Sequence, residues 1–316
     1  MAVPGLGERV AVALQHLLPK LALTRLAGVL ARLRGGGSTT AVIRWFIQRY
    51  GVNMAEAAEA DPAVYATFND FFTRALKPGA RPLVAPARAD LLCPVDGAIS
   101  QFGAIAGDQI FQAKGHSYST TALLGGDTAL AAHFHGGHFA TLYLSPKDYH
   151  RIHMPCGGRL LRMLHVPGDL FSVNPATARG VPGLFARNER VVCVFEGTEG
   201  ACAGRPWVLV LVGATIVGSM ATVWHGVVNP PRPGLLREWA YHDQPTTLLR
   251  GQEMGRFLLG STVVMLFPSG PLRFNPSWAP GGAIRMGQMM ATGTATAAGT
   301  AAGMATGAAA PMRAPP

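Results

Sequence analysis

The spacing of apolar residues changes twice along this chain and divides it into three regions. Between residues 8 and 33 (ERVAVALQHLLPKLALTRLAGVLARL) apolar positions recur at helical spacing, and Pro19 splits the stretch into two helices. Leu23, Leu26, Leu30 and Leu33 fall near one face, while Lys20, Arg25 and Arg32 interrupt the others. Gly35-Gly36-Gly37-Ser38 is a break, after which Thr40 to Tyr50 resumes as a helix. Residues 62–75 predict one more helix, ending at the Lys77-Pro78-Gly79 turn. From Leu91 to Phe267 short Val/Ile/Leu/Phe runs alternate with Gly, Pro and Asp turns, which is the grammar of strands. After Gly281 the chain turns to Ala, Gly, Thr, Met and Pro, too poor in bulky apolar groups to offset ordering entropy, and predicts a disordered tail. The expected fold class is α+β: amphipathic helices over 1–75, a β-rich and mostly antiparallel body over 76–280, and a low-complexity tail over 281–316.

One apolar run has to be tested as a membrane span. Trp207 to Trp224 carries no charge over about the length that crosses a bilayer. Its valines, threonines and interior glycines suit two buried strands better, Val208 to Val212 and Ile216 to Val217, with a glycine bend between them. The charge balance is basic, 27 Lys+Arg against 17 Asp+Glu for a formal +10. Nucleic acid or an anionic membrane surface would suit such a charge, and without a nucleic-acid recognition motif the membrane is the expected partner. The 8–34 stretch alone holds five Lys/Arg against one acid, the makeup of a helix lying in a membrane interface or packed on the body of the protein. Cys93, Cys156, Cys193 and Cys202 form no C-x-x-C pair. Glu8, Gln15, His16 and Pro19 interrupt any signal-like run, so a reduced, cytoplasmic setting is expected.

Four local patterns could carry chemistry. Pro94-Val95-Asp96-Gly97 places an aspartate in a tight turn, which is also ordinary turn chemistry. In Ser145-Pro146-Lys147-Asp148-Tyr149-His150-Arg151-Ile152-His153-Met154-Pro155, two histidines three residues apart would share one side of a helical turn and suit acid/base work, or be structural. Leu259-Gly260-Ser261-Thr262 puts a glycine and a hydroxyl at the mouth of an apolar strand. His133, His135 and His138 merit a metal test, but no H-E-x-x-H arrangement accompanies them, and no metal is expected.

Taken together, these segments resemble the phosphatidylserine decarboxylases of the bacterial and mitochondrial type. The resemblance rests on PVDGAIS (94–100), KGHSYS (114–119), YLSPKDYHRIHMP (143–155), PGDLFSVN (167–174), LFARNERV (184–191), VGATIVGSM (212–220) and GQEMGRFLLGSTV (251–263), in the family's order. It covers about residues 91–268, more loosely the N-terminal helices, and not the tail. It implies that Asp96, His153 and Ser261 form a charge relay for self-cleavage at Gly260-Ser261. The serine hydroxyl attacks the Gly260 carbonyl, an N→O acyl shift gives an ester, and β-elimination separates a β chain, 1–260, from an α chain, 261–316. Loss of ammonia then leaves a pyruvoyl group at position 261, the covalent cofactor. Its ketone forms a Schiff base with the serine amine of phosphatidylserine and takes up the electrons when CO₂ leaves. His150 is the candidate for the proton returned to that carbon. The expected partners are phosphatidylserine in the membrane and the β/α pair itself, with further dimerisation by resemblance and no nucleic acid. The expected location is peripheral, on the cytoplasmic face of the cell membrane. A Ser-His-Asp lipid hydrolase would use the same residue types, but the G-x-S-x-G elbow is missing. A non-enzymatic binding protein would leave the Asp, His and Ser patterns without a purpose.

Overall fold

The computed structural model describes residues 6–85, 90–216, 219–243, 245–260 and 262–293. Helix α1 (Leu6–Leu17) and helix α2 (Lys20–Leu30) are parted at Pro19, whose missing N–H ends the first ladder. Helix α3 (Gly37–Tyr50) stops where Gly51 turns left-handed at φ 69° and donates its N–H to the Ile47 carbonyl. The single helix expected over 62–75 is instead a 3-10 turn, Pro62–Val64, and a short helix α4, Phe68–Phe72. Tyr65 is extended, and Thr67 and Asp70 form a reciprocal capping box that starts α4 afresh. Local capping therefore overrides the continuous apolar spacing.

The body is organised on a nine-stranded antiparallel sheet. Its order is Arg237–Ala240, Gly158–Val166, Arg190–Gly197, Pro206–Val212, Thr262–Phe267, His138–Tyr143, Gly97–Ala104 and Ala283–Ile284, with Thr247–Leu248 also pairing with Gly158–Val166. Thr262–Phe267 is buried at all six residues, because it lies between Pro206–Val212 and His138–Tyr143 with neither edge free. A four-stranded sheet, Gly226–Asn229, Met220–Thr222, Glu253–Phe257 and Arg151–His153, flanks it. Only the first half of the 207–224 reading matches. Pro206–Val212 is a buried strand, but Ile216 is exposed in a loop at φ +61°, and the next strand is Met220–Thr222. The loop is held by side chains from elsewhere: the Ile216 N–H donates to Thr24 Oγ1 at 3.0 Å. No helix among the described residues is long and apolar enough to cross a membrane.

Strands also continue past Gly281, where composition suggested a tail. Ala283–Ile284 pairs with Gly97–Ala104, and Met289–Gly293 pairs with both Leu91–Leu92 and Leu272–Phe274. Ile284, Met290 and Ala291 are buried there, so small and thioether side chains fill a core that composition alone did not reveal. Residues 294–316 lie outside the described residues.

Helices α1 and α2 dock in an inverted manner. Gln15 accepts from Ser172 N at 2.9 Å and donates to Thr177 Oγ1 at 2.9 Å, and Lys20 Nζ sits 4.0 Å over the Phe171 ring. The leucines face outward instead. Leu17 is 82% exposed, and Leu21, Leu26, Val29, Leu30 and Leu33 are exposed as well.

Candidate active site

The register of the smaller sheet sorts the candidate residues. His153 lies opposite Glu253, Arg151 lies opposite Arg256, and Phe257 N–H donates to the His150 carbonyl at 3.1 Å. The chain then runs through Leu258 and Leu259 to Gly260 and enters the main sheet at Thr262. Antiparallel pairing thus brings His150 to the Gly260 end and leaves His153 at the other. A carbon at the Cβ position of Gly260 would lie 3.1 Å from His150 Cε1 and 3.5 Å from Phe72 Cζ, so this glycine packs its bare Cα against two rings. Ser261 itself lies outside the described residues.

The expected helical turn across 150–153 is not formed. Arg151–His153 is a strand, paired along Glu253–Phe257 and with Ile152 buried. Residues three apart in a strand project to opposite faces roughly 10 Å apart, so the two histidines serve different places.

His150 is fully buried and stacks on Phe72, with ring centroids 4.0 Å apart and planes at 22°. Its Nε2–H donates to the Ser145 carbonyl at 3.1 Å, while Nδ1 has no partner among the described residues. Burial, helped by the Arg74 charge, lowers its pKa to about 3, so the ring is neutral with an open lone pair. Arg74 is itself buried, donates to the Lys147 carbonyl, and is shifted down by desolvation.

His153 is engaged at both nitrogens. Nδ1 lies 2.8 Å from the Gly251 carbonyl, which only accepts, so the proton resides there and Nε2 accepts from the Tyr149 hydroxyl at 3.0 Å. Burial holds the His153 pKa below its usual value, against the pull of that carbonyl. The His153 N–H donates to Pro94 O at 2.8 Å, which lays the Pro94-Val95-Asp96-Gly97 turn alongside. A side-chain carbon on Gly97 would stand 2.3 Å from the Tyr143 carbonyl oxygen, so the turn needs glycine there.

Asp96 is buried but does not hydrogen-bond His153. Arg81 Nε reaches its two oxygens at 2.9 and 3.0 Å, Arg81 Nη2 lies at 2.5 Å, and Met286 N–H donates to Oδ1 at 2.9 Å. Arg81 Nη2 also binds Glu56 at 2.7 Å, and its hydrogen bonds to Asp96 above all raise its pKa. The Asp96 charge is the smallest of the influences on the His153 ring, after burial, the Gly251 carbonyl, Glu253 and Arg151. Sequence reasoning missed Arg81, Glu56 and Phe72, which come from distant segments with no motif of their own. Tyr149 stood inside the DYHRIHMP segment, and its spacing from His153 was the available signal.

The His-x-His cluster does not form a strand face. His133 caps a short helix, Thr128–Ala132, and His138 begins the strand that follows. Among the described residues no group of three His, Cys, Asp or Glu is arranged to hold a metal ion. The four cysteines are free and buried.

Known proteins resemble this chain over most of its length. The family model described as phosphatidylserine decarboxylase matches residues 68–292, and a second, described as PSD, matches residues 10–51. A protein of Albidiferax ferrireducens named phosphatidylserine decarboxylase proenzyme is 72% identical over 284 residues, 90% of this chain and 97% of its own length. Proteins of the same name from Azoarcus sp. and Polaromonas naphthalenivorans are 70% and 71% identical, each over 90% of this chain and over 96% and 97% of their own lengths. The chain belongs to the phosphatidylserine decarboxylase family and is a carboxy-lyase.

Proposed function

We propose that this chain converts phosphatidylserine to phosphatidylethanolamine with a pyruvoyl group made from its own Ser261 once the Gly260–Ser261 bond is cut. The observation that carries the reading to this bond is Gly260 packed on a neutral, buried His150 whose Nδ1 is open. The word proenzyme in the relatives' names supports processing into two chains, 1–260 and 261–316.

In self-cleavage the Ser261 hydroxyl attacks the Gly260 carbonyl carbon, forming a C–O bond as the C–N bond breaks. By the family resemblance His153 takes the hydroxyl proton and passes it to the departing Ser261 nitrogen; for this its ring must come over from the far end of the strand, and the Tyr149 hydroxyl must release Nε2. Asp96, fixed by Arg81, stabilises the imidazolium by its charge. Elimination from the resulting ester separates the chains. The pyruvoyl ketone supplies an electrophile for the substrate amine and a sink for the electrons left by CO₂.

The residues beside position 261 fit such a group. His150 offers a lone pair at Nδ1 in a water-poor setting, and a substrate carboxylate alongside would raise its basicity. We assign His150 Nδ1 the relay of one proton, taken from the substrate ammonium as it becomes a nucleophile and returned to the reacting carbon; full turnover in matured His150→Ala would remove that role. Intact mass spectrometry tests the whole scheme. Two fragments with a blocked terminus on the smaller are expected, and a single uncut chain that still decarboxylates would overturn it.

The outward leucines of α1 and α2 support a peripheral site on the membrane. An apolar face left in water this way marks a surface built for lipid, and Lys20, Arg25 and Arg32 add attraction to anionic headgroups. The buried, reduced cysteines are compatible with the cytoplasmic face. Removing residues 1–33 is expected to release the protein from phosphatidylserine vesicles.

A further inference from the structure

Beside Gly260 lies a cleft of about 270 Å³ that the chemistry described so far does not use. Its walls are α2 with Arg32 just beyond it, Ile216 and Ser219, Pro230 with Arg232, and Leu258-Leu259, the two residues before Gly260. Three arginines, Arg25, Arg32 and Arg232, line it, and no acidic residue does among the described residues.

Arg232 is held in a way that leaves a donor free. Its Nε donates to Glu189 Oε2 at 2.9 Å, and the buried Glu189 accepts on its other oxygen from the fully buried His165 at 2.8 Å. Burial raises the Glu189 pKa, but the His165 bond and the Arg232 charge more than reverse that, and the carboxylate stays ionised. With Nε tethered, Arg232 Nη2 remains buried and without a partner among the described residues. Arg232 lines the cleft, and an unmet buried guanidinium donor beside it is costly until an anion or a water completes it. Arg32 reaches the same cleft over Gly28, where a Cβ would lie 3.9 Å from both of its terminal nitrogens.

We infer that Arg232, with Arg25 of α2 and Arg32 just beyond it, binds the phosphodiester of the phospholipid substrate and sets the distance of its headgroup from position 261. The inference rests on Gly260-Ser261 being the reacting position. The cleft opens beside Ile216 and Val29, both exposed and apolar, so the acyl chains can stay on the lipid side while the phosphate enters. Glu189 is then a positioning residue, acting only through Arg232.

The test compares matured wild-type protein with Arg232→Gln and with an Arg25→Gln/Arg32→Gln double variant, in mixed micelles of phosphatidylserine. Loss of one charge-assisted contact is expected to raise KM about 10- to 100-fold for Arg232→Gln, with kcat within about threefold. Glycerophosphoethanolamine, which carries the phosphodiester but no carboxylate, should inhibit wild type and lose that inhibition in the variant by a similar factor. Unchanged KM, or inhibition that survives the substitution, overturns the proposal. A variant that falls in kcat alone would assign Arg232 to the departing carboxylate and also overturn it. If Arg232→Gln fails to fold because Glu189 is stranded, the double variant at two exposed positions decides, with a KM rise of at least about fivefold expected. Intact mass on the same samples reports cleavage at Gly260 separately, so failure of that reading is distinguishable from failure of the phosphate site.

Discussion

Replacing His150 by glutamine should flatten the acid limb of the stability curve. In the folded protein burial holds the His150 pKa near 3, against an unfolded value of 6.5. Below pH 6.5 the unfolded chain takes up a proton that the folded chain refuses. The contribution is therefore fully present above about pH 6.5 and is lost progressively as pH falls towards 3. At 1.36 kcal/mol per pKa unit, the loss between pH 7 and pH 5 comes to about 2 kcal/mol. Glutamine does not titrate and can still donate to the Ser145 carbonyl; losing the Phe72 stack lowers its stability by the same amount at every pH. The comparison is best made in a Ser261→Ala chain, which stays uncut and unfolds as one piece. The burial that depresses His153 and raises Asp148 acts in both proteins, so the difference between them isolates His150. Urea unfolding at pH 7, 6 and 5 should show the gap between the two proteins shrinking by about 2 kcal/mol. A gap constant to within about 0.5 kcal/mol would mean that the ring is not held neutral, and the reasoning about its open Nδ1 would fall with it.

Three further outcomes are expected. Arg81→Met strands the Asp96 carboxylate, whose side chain is only 10% exposed, and should cost about 3–5 kcal/mol in thermal melts of the uncut chain; adding Asp96→Asn should recover much of it, and no recovery would refute the pairing. Gly97→Ala drives a carbon to 2.3 Å from the Tyr143 carbonyl oxygen and should leave a single uncut chain by mass spectrometry, where normal cleavage would show that the turn can yield. Tyr149→Phe removes the bond that favours neutral His153, so self-cleavage should persist with its pH profile moved upward; an unmoved profile would mean that this hydroxyl does not govern the ring.

The parts of the fold that were legible are those where one local signal decides. Pro19 had to separate α1 from α2, and the valine-rich run through Val212 had to be a buried strand rather than a span. Residues 62–75 misled because their apolar spacing is continuous, while the capping box of Thr67 and Asp70 sets the boundary. The strands after Gly281 were invisible because Ala283–Ile284 and Met289–Gly293 are held chiefly by backbone pairing to Gly97–Ala104 and Leu91–Leu92, partners about 190 residues away. Site residues divide in the same way. Motif order singled out Asp96, His150 and His153, but a motif does not say who touches whom. Arg81 taking Asp96, and Tyr149 taking His153, depend on long-range packing that no local pattern encodes.

Where the proposed cut falls in the sheet determines what cutting can do. Thr262–Phe267 is the central strand, paired residue by residue with Tyr143 to His138 on one side and from Val212 to Val208 on the other. Withdrawing it would expose five apolar side chains, worth on the order of 10 kcal/mol, and break two ladders at once. A break one residue before this strand therefore leaves the smaller chain in place. The same pairing would require the sheet to be assembled first, because Thr262 is seated only once Tyr143 and Val212 flank it. Cleavage at the proposed bond would then report completed folding, with the new chain end held by a strand buried at all six residues.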